Sequence, residues 1–442
     1  MSPCGATVVA AFVLAAGGCI AAQSLVAGHD PEDVAKKVVS TPWWPPGTEK
    51  KAESVGIISH GFVYMTAMME SSKTLAESAL ADMSDVRDIA NAAGADLPDL
   101  VDCLANAPLG DARAVRQALL AALPVTMATS PPALTVVEMP GEYPFSFFST
   151  SVSCIASLPI VGRINGRQSW QSNRTYGVSA RGLLFVQGVS SSMSQGDARL
   201  EASEAFREIS ELIHKAGGTG LEDLVDCTAF LLNISDAASV RLAFADRLQL
   251  QPALTMIQVG GLEESGSRVH LRCTAVLPLL GDARSRPASK PLHLGSGSRA
   301  VVTEHFVFAS AQLGHASNGS DAFSSLEGLL QQAGLGLKDV INCIFYVRDQ
   351  SKVYDLFAGF FHAFNQENPP PPSRSEFTAV SECAGCEVAA KCIAAQRPSA
   401  EASASGSAGK SALFRESEGG EDSFLHTGLA RGEELSARSL LV

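Results

Sequence analysis

Between Phe306 and Val347 the alternation of apolar and polar positions separates strands from helix. Phe306-Val307-Phe308-Ala309 and Val340-Ile341-Asn342-Cys343-Ile344-Phe345-Tyr346-Val347 are short apolar runs rich in strand-forming residues. Between them Phe323, Leu326, Leu329, Leu330 and Ala333 recur at helical spacing, and Gly334 stands where a helix C-cap belongs. A second helix follows, with Val353, Leu356, Phe357, Phe360, Phe361 and Phe364 on its inner face. The Pro369 to Pro372 run stops it, because proline has no N–H to continue the ladder. The order strand, strand, helix, strand, helix, strand predicts an α+β layer fold, with helices covering one face of a mainly antiparallel or mixed sheet.

The same landmarks occur three times. In the first copy they are Ala93-Gly94, Asp102-Cys103, Pro132-Ala133-Leu134-Thr135 and Cys154-Ile155-Ala156. In the second they are Ala216-Gly217, Asp226-Cys227, Pro252-Ala253-Leu254-Thr255 and Cys273-Thr274-Ala275. In the third they are Ala333-Gly334, Asn342-Cys343, Pro372-Ser373-Arg374-Ser375 and Cys392-Ile393-Ala394. Self-similarity in this order predicts three tandem copies of one domain, over residues 51–160, 170–281 and 292–396. Polar, small-residue connectors separate them, Gly162 to Ser169 and Gly281 to Pro291.

Composition changes the picture at the ends. With 442 residues and 46% hydrophobic residues the chain can build several cores. The apolar run Ala6 to Ala22 reads as a targeting segment over residues 1–22, with an anchor or a first strand as the other readings, and residues 23–50 read as a linker. It favours the secretory pathway or an organelle, with the cytoplasm as the alternative. Asn173, Asn233 and Asn318 head glycosylation-type triplets. Residues 397–442 are Ala, Ser, Gly and Glu without period and read as a disordered tail. A net charge of −13 with no basic stripe argues against a nucleic-acid surface, and apart from the N-terminal segment no run could cross a membrane. Six of the ten cysteines recur inside apolar strands, where a free Cys acts as a small buried hydrophobe.

The third copy resembles the reactive intermediate deaminase family (RidA, or YjgF type). The match is carried by Phe306-Val307-Phe308-Ala309-Ser310-Ala311-Gln312, Leu326-Glu327-Gly328-Leu329-Leu330-Gln331-Gln332-Ala333-Gly334, Leu337-Lys338-Asp339-Val340 and Pro372-Ser373-Arg374-Ser375. The resemblance implies a chorismate-mutase-like domain, here three in one chain acting as a monomeric pseudo-trimer with clefts between copies. It also implies hydrolysis of reactive imines of amino-acid origin to 2-oxo acids and ammonia, without metal or cofactor. Arg374 would hold the substrate carboxylate, with Ser375, Ser310 and Gln312 nearby. The matching positions Leu134 and Leu254 cannot, so at most one cleft is expected to be competent. The family's last-strand Glu falls on Ala389, its first-strand Tyr on Gly297. Glu387 and His270 are the residues near that Glu position able to move a proton. A non-catalytic binder or interaction protein is the alternative. Cys383-Ala384-Gly385-Cys386 reads as a turn with incidental cysteines, a local disulfide or a metal half-site.

Overall fold

The computed structural model describes residues 36–39, 54–67, 74–139, 150–159, 166–190, 196–249, 251–278, 292–294, 299–364 and 373–397, with the backbone alone at 292 and over 373–378. The N-terminal run, most of the expected linker, Gly297 and the tail beyond Arg397 lie outside them. No described helix is long and apolar enough to cross a membrane.

Three repeats follow one another, each built on β-β-β-α-β-α-β-β, with one more strand before the first helix and one more after the second than the apolar pattern predicts; the expected Pro-rich loop is itself a strand. Repeat 1 comprises β1 (Lys37–Val39), β2 (Gly56–Ser59), β3 (Phe62–Thr66), α1 (Leu75–Ala93), β4 (Leu100–Ala107), α2 (Ala112–Ala122), β5 (Ala133–Glu138) and β6 (Ser151–Ser157). Its first strand lies inside the stretch expected to be linker, where Lys37–Val39 pairs antiparallel with β2. Repeat 2 comprises β7 (Gln168–Ser172), β8 (Thr175–Ala180), β9 (Leu183–Val189), α3 (Ala198–Lys215), β10 (Leu224–Leu231), α4 (Ala237–Arg247), β11 (Ala253–Gln258), β12 (Gly261–Leu262) and β13 (Val269–Val276). Repeat 3 comprises β14 (Leu292–Leu294), β15 (Ala300–Val302), β16 (Phe306–Gly314), α5 (Ser320–Gln332), β17 (Val340–Val347), α6 (Val353–Phe364), β18 (Ser373–Thr378), β19 (Val380–Ser381) and β20 (Val388–Ala395).

The shared landmarks are local stop signals. Gly94, Gly217 and Gly334 all have positive φ (89°, 89° and 75°), a region closed to most side chains. The residue after each glycine donates its N–H back into the helix end: Ala95 to Ala90 O, Gly218 to Ile213 O and Leu335 to Leu330 O, at 2.9, 2.9 and 3.0 Å. This closes each first helix and turns the chain into the next strand. In α6 the expected inner face is buried at Leu356, Phe360 and Phe364, and Phe345 meets Phe323 and Phe360 edge to face at 5.8 and 5.6 Å. Phe357 differs, being half-buried at the rim.

Each repeat packs one sheet face under its two helices, giving three separate cores. The opposite faces meet around a common axis. Phe62, Tyr64, Phe185, Phe306 and Phe308 from all three repeats form one apolar layer there, and Leu104, Val137, Phe230, Ile257, Tyr346 and Ala389 form another. The repeats are also stitched by backbone. β12 extends the sheet of repeat 1 against β5, and β19 extends that of repeat 2 against β11, covering edges that would otherwise be open. Lys36 Nζ donates to Val340 O (2.6 Å), and Arg167 Nε donates to Leu100 O (2.7 Å). One cation ahead of a repeat thus latches the start of the fourth strand of the repeat before it, and Lys36 closes the ring from repeat 1 to repeat 3.

Charge lies buried on the axis. Arg272 of repeat 2 pairs with Asp102 of repeat 1, and Lys391 of repeat 3 pairs with Asp226 of repeat 2 at 2.8 Å while donating to the Thr228 hydroxyl. Burial pushes the Asp102 carboxyl up and the Lys391 ammonium down, and the paired charge opposes the shift in each case. The third interface has no such pair, because the matching positions hold Ser153 and Asn342.

The six recurring cysteines are not free thiols. Cys103–Cys154, Cys227–Cys273 and Cys343–Cys392 are disulfides, each joining the fourth strand of its repeat to the last, with Cα atoms 4.2 Å apart. Antiparallel strands bring directly opposed residues that close at non-hydrogen-bonded positions. The linear pattern shows burial and recurrence but not that the two cysteines of a repeat lie opposite one another.

Candidate functional site

Where the family resemblance implies clefts, the fifth strand of one repeat lies against the third strand of the next: β5 against β9, β11 against β16, and β18 against β3. The first two share a polar link. Thr135 Oγ1 accepts from Gly188 N at 2.9 Å, and Thr255 Oγ1 accepts from Ala311 N at 2.8 Å. The next residue back along each strand, Leu134 or Leu254, turns to the helix side and is buried there.

Strand register carries these positions into repeat 3. Leu134 lies opposite Cys103, Leu254 opposite Cys227 and Arg374 opposite Cys343, so the three positions are equivalent. Ser375 matches Thr135 and Thr255 in the same way. The side chains of Arg374 and Ser375 are outside the described residues, but β18 itself borders repeat 1. Ser310 and Gln312 lie on β16, with β20 and β17 between them and β18. The strands that carry the four residues expected to bind together border different neighbours, β18 with Arg374 and Ser375 facing repeat 1, β16 with Ser310 and Gln312 facing repeat 2. Ser310 Oγ donates to Arg299 O (2.9 Å), and fully buried Gln312 donates to Ser310 O (2.8 Å) and accepts from Ser325 and Arg299. Both brace their own repeat.

Glu387 precedes β20, where its N–H donates to Gly314 O and its carbonyl accepts from Arg348 N. β17 separates it from the Arg374 strand. His270 lies opposite Phe230, Ala389 opposite Tyr346 and Ser151 opposite Asn106, so these three residues are equivalents in the last strand. Only His270 among them is an imidazole, able to accept and return a proton.

The 1/2 cleft holds His270 together with an arginine that sequence reasoning missed. Arg116 on α2 donates from Nη1 to Leu134 O (2.6 Å) and from Nη2 to Gln187 Oε1 (2.9 Å), with Nε 3.1 Å from Glu263. Its guanidinium thus sits at the carbonyl of the residue that replaces Arg374. Arg241, one position after Val240 as Arg116 follows Val115, makes the matching ion pair with Glu382 in the 2/3 cleft. In repeat 3 that helical position is Phe357. Repeats 1 and 2 have a helix arginine and a strand leucine, and repeat 3 has a helix phenylalanine and a strand arginine. The recurring Val-Arg pair was the available signal, but its partner lies in the next repeat.

His270 is 4% exposed. Its Nε2 borders Gly188, where an added Cβ would come within 2.0 Å of that nitrogen, so glycine is required there. Nδ1 has no hydrogen-bond partner among the described residues. Burial, with the Arg116 charge adding to it, lowers the imidazole to about 4, against the pull of a Gly188 backbone hydrogen bond. The folded ring is neutral at pH 7, with one nitrogen unengaged. Burial likewise raises the Glu263 carboxyl, opposed by Arg116.

A depressed folded value means that the unfolded chain takes up the proton first. The stability tied to His270 is complete above its ordinary value of 6.5 and is lost as pH falls through that value towards 4. The loss amounts to about 3 kcal/mol. Melting temperatures should therefore fall more steeply over this window for wild type than for His270→Gln; parallel profiles would contradict a buried neutral ring.

No protein-family model matches the chain, and no curated protein is similar to it. Among solved structures it is similar to a chorismatase, with TM-score 0.38 and 15% identity over 50% of this chain and 76% of that one. It is also similar to a YjgF-family member from Neisseria meningitidis, with TM-score 0.23 and 19% identity over 25% of this chain and 95% of that one. RidA from an Antarctic Psychrobacter matches with TM-score 0.23 and 22% identity, over 25% of this chain and 100% of its own length.

Proposed function

We propose that this chain works as a monomeric pseudo-trimer that hydrolyses small reactive imines of amino-acid origin to 2-oxo acid and ammonia, with the chemistry confined to the 1/2 cleft. The observation that carries this reading is the buried, neutral His270 with its unengaged Nδ1 in the same cleft as Arg116. A guanidinium has five N–H donors; Leu134 O and Gln187 Oε1 engage two of them and Glu263 pairs with Nε, leaving one N–H on each terminal nitrogen for a substrate carboxylate. Imine hydrolysis needs a water deprotonated as it attacks carbon and a proton returned to the leaving nitrogen, and a neutral imidazole does both in turn. The strand of Arg374 borders repeat 1, whose last-strand counterpart of His270 is Ser151, a hydroxyl that does not act as a base near neutral pH.

The test is release of 2-oxo acid and ammonia from freshly generated aminoacrylate. His270→Gln should lower kcat at least about 100-fold, a common contribution of a general base, while Arg374→Ala leaves it within twofold. The assignment to this cleft fails if His270→Gln retains the wild-type rate or if Arg374→Ala abolishes it.

A second reading, a non-catalytic carboxylate binder, is favoured by Leu134, Leu254 and Ala389, which remove binding or proton-transfer groups from most clefts. It holds if wild type gives no rate above buffer yet 2-oxobutanoate raises its melting temperature and Arg374→Ala cancels that shift.

A further inference from the structure

The turn between β19 and β20 brings Cys383 and Cys386 beside His315, which follows β16 some seventy positions earlier in the chain. In the structure the two cysteines are joined as a disulfide. His315 Nε2 is 4.0 Å from Cys383 Sγ and 3.9 Å from Cys386 Sγ. The other ring nitrogen, Nδ1, is 3.1 Å from Gly385 O. A carbonyl can only accept, so Nδ1 carries the proton and Nε2 presents its lone pair to the sulfurs. Gly385 adopts φ 80°, a conformation that suits glycine, in the turn that presents this carbonyl.

A disulfide makes no use of an imidazole lone pair aimed at it, whereas a metal ion does. Around a tetrahedral zinc ion, bond lengths of about 2.3 Å to sulfur and 2.0 Å to nitrogen put neighbouring N and S atoms roughly 3.6 Å apart. Both observed N to S separations are within half an ångström of that value, and all three ligand atoms lie within 4.8 Å of one another. The hydrogen bond from the non-ligating nitrogen to a backbone carbonyl is the support that metal-binding histidines usually have. Burial is graded, with His315 exposed, Cys383 half-buried and Cys386 buried, so a fourth coordination position opens to water.

We propose that His315, Cys383 and Cys386 form a binding site for zinc or a similar soft divalent cation, present in the reduced protein and abolished when the two cysteines join. A dithiol reductant breaks the Cys383–Cys386 bond, giving two thiols and the cyclic disulfide of the reductant. The cation then binds both sulfurs as thiolates, releasing two protons to water, and takes the His315 Nε2 lone pair and one water. Oxidation by a small-molecule disulfide reverses the first step and expels the ion. The site lies away from the 1/2 cleft and is independent of the function proposed for it.

The test uses the full chain, freed of metal by a chelator and reduced briefly with a phosphine under native conditions. The Cys383–Cys386 bond in its exposed turn then opens while the buried Cys103–Cys154, Cys227–Cys273 and Cys343–Cys392 bonds stay closed, as a count of free thiols verifies. Titration with Co2+ should give thiolate-to-cobalt charge-transfer absorption and the visible bands of four-coordinate cobalt, saturating at one equivalent and bleached by Zn2+. Cys386→Ser should abolish the charge-transfer band, and His315→Ala should weaken binding at least tenfold. The oxidised protein should give no signal. Cys383→Ser serves as a second thiol variant should Cys386→Ser fail to fold, as judged by its melting curve. Absence of cobalt absorption in reduced wild type, equal affinity in His315→Ala, or undiminished binding after oxidation would each overturn the proposal.

Discussion

Replacing Cys227 and Cys273 together by alanine should lower the unfolding free energy by about 4 kcal/mol. The bond closes a loop with a sequence separation of 46, and chain-entropy arguments give roughly that value for a loop of this size. The pairs in repeats 1 and 3 have separations of 51 and 49, so each should cost nearly the same. They sit in separate cores, and their effects should add. Typical domains retain only about 5–15 kcal/mol in total, so a chain lacking all three bonds should not fold stably. Because every disulfide links strands of one repeat, its loss loosens that repeat and leaves the inter-repeat latches in place. Urea unfolding with and without each pair measures this, and an unchanged midpoint would mean that the cysteines act only through packing.

Lys391→Met should cost about 3–5 kcal/mol, because it strands the Asp226 carboxylate away from water, with the pair only 5% and 10% exposed. Converting Asp226→Asn in the same chain should recover most of that loss, to within about 1.5 kcal/mol of wild type, since an interior without the charge has nothing to neutralise. The protein already contains that arrangement at its third interface, where Asn342 and Ser153 fill the equivalent positions. A double-mutant cycle measures the coupling directly, and a single-variant cost below about 1 kcal/mol would show that water reaches the pair. The asymmetry also bears on assembly. Two charged interfaces and one neutral one distinguish otherwise similar repeat faces, so a wrongly ordered ring would bury an unpaired charge.

The candidate site was partly legible in the sequence. Arg374 stood out because Leu134 and Leu254 occupy its place elsewhere, and strand register bears out that equivalence. His270 was legible by its place near the last-strand position that the family resemblance gives to Glu, and the sheet places it level with Ala389. Arg116 was not, since its meaning comes from Leu134 O on its own repeat and Gln187 and Glu263 on the next. Ser310 and Gln312 were grouped with Arg374 because they share one copy of the motif, whereas each cleft draws one strand from each of two repeats.

The sequence by itself determined the recurrence of one unit, its helices and their ends, because hydrophobic period and glycine placement act over a few residues and need no distant partner. The first strand and the strand after the prolines escaped it. The tertiary structure alone decided which cysteines meet, which charges are buried together, which repeat faces which, and that His315 reaches the Cys383–Cys386 turn. All of these depend on residues far apart in the chain, brought together by strand pairing and by the closure of three repeats around one axis.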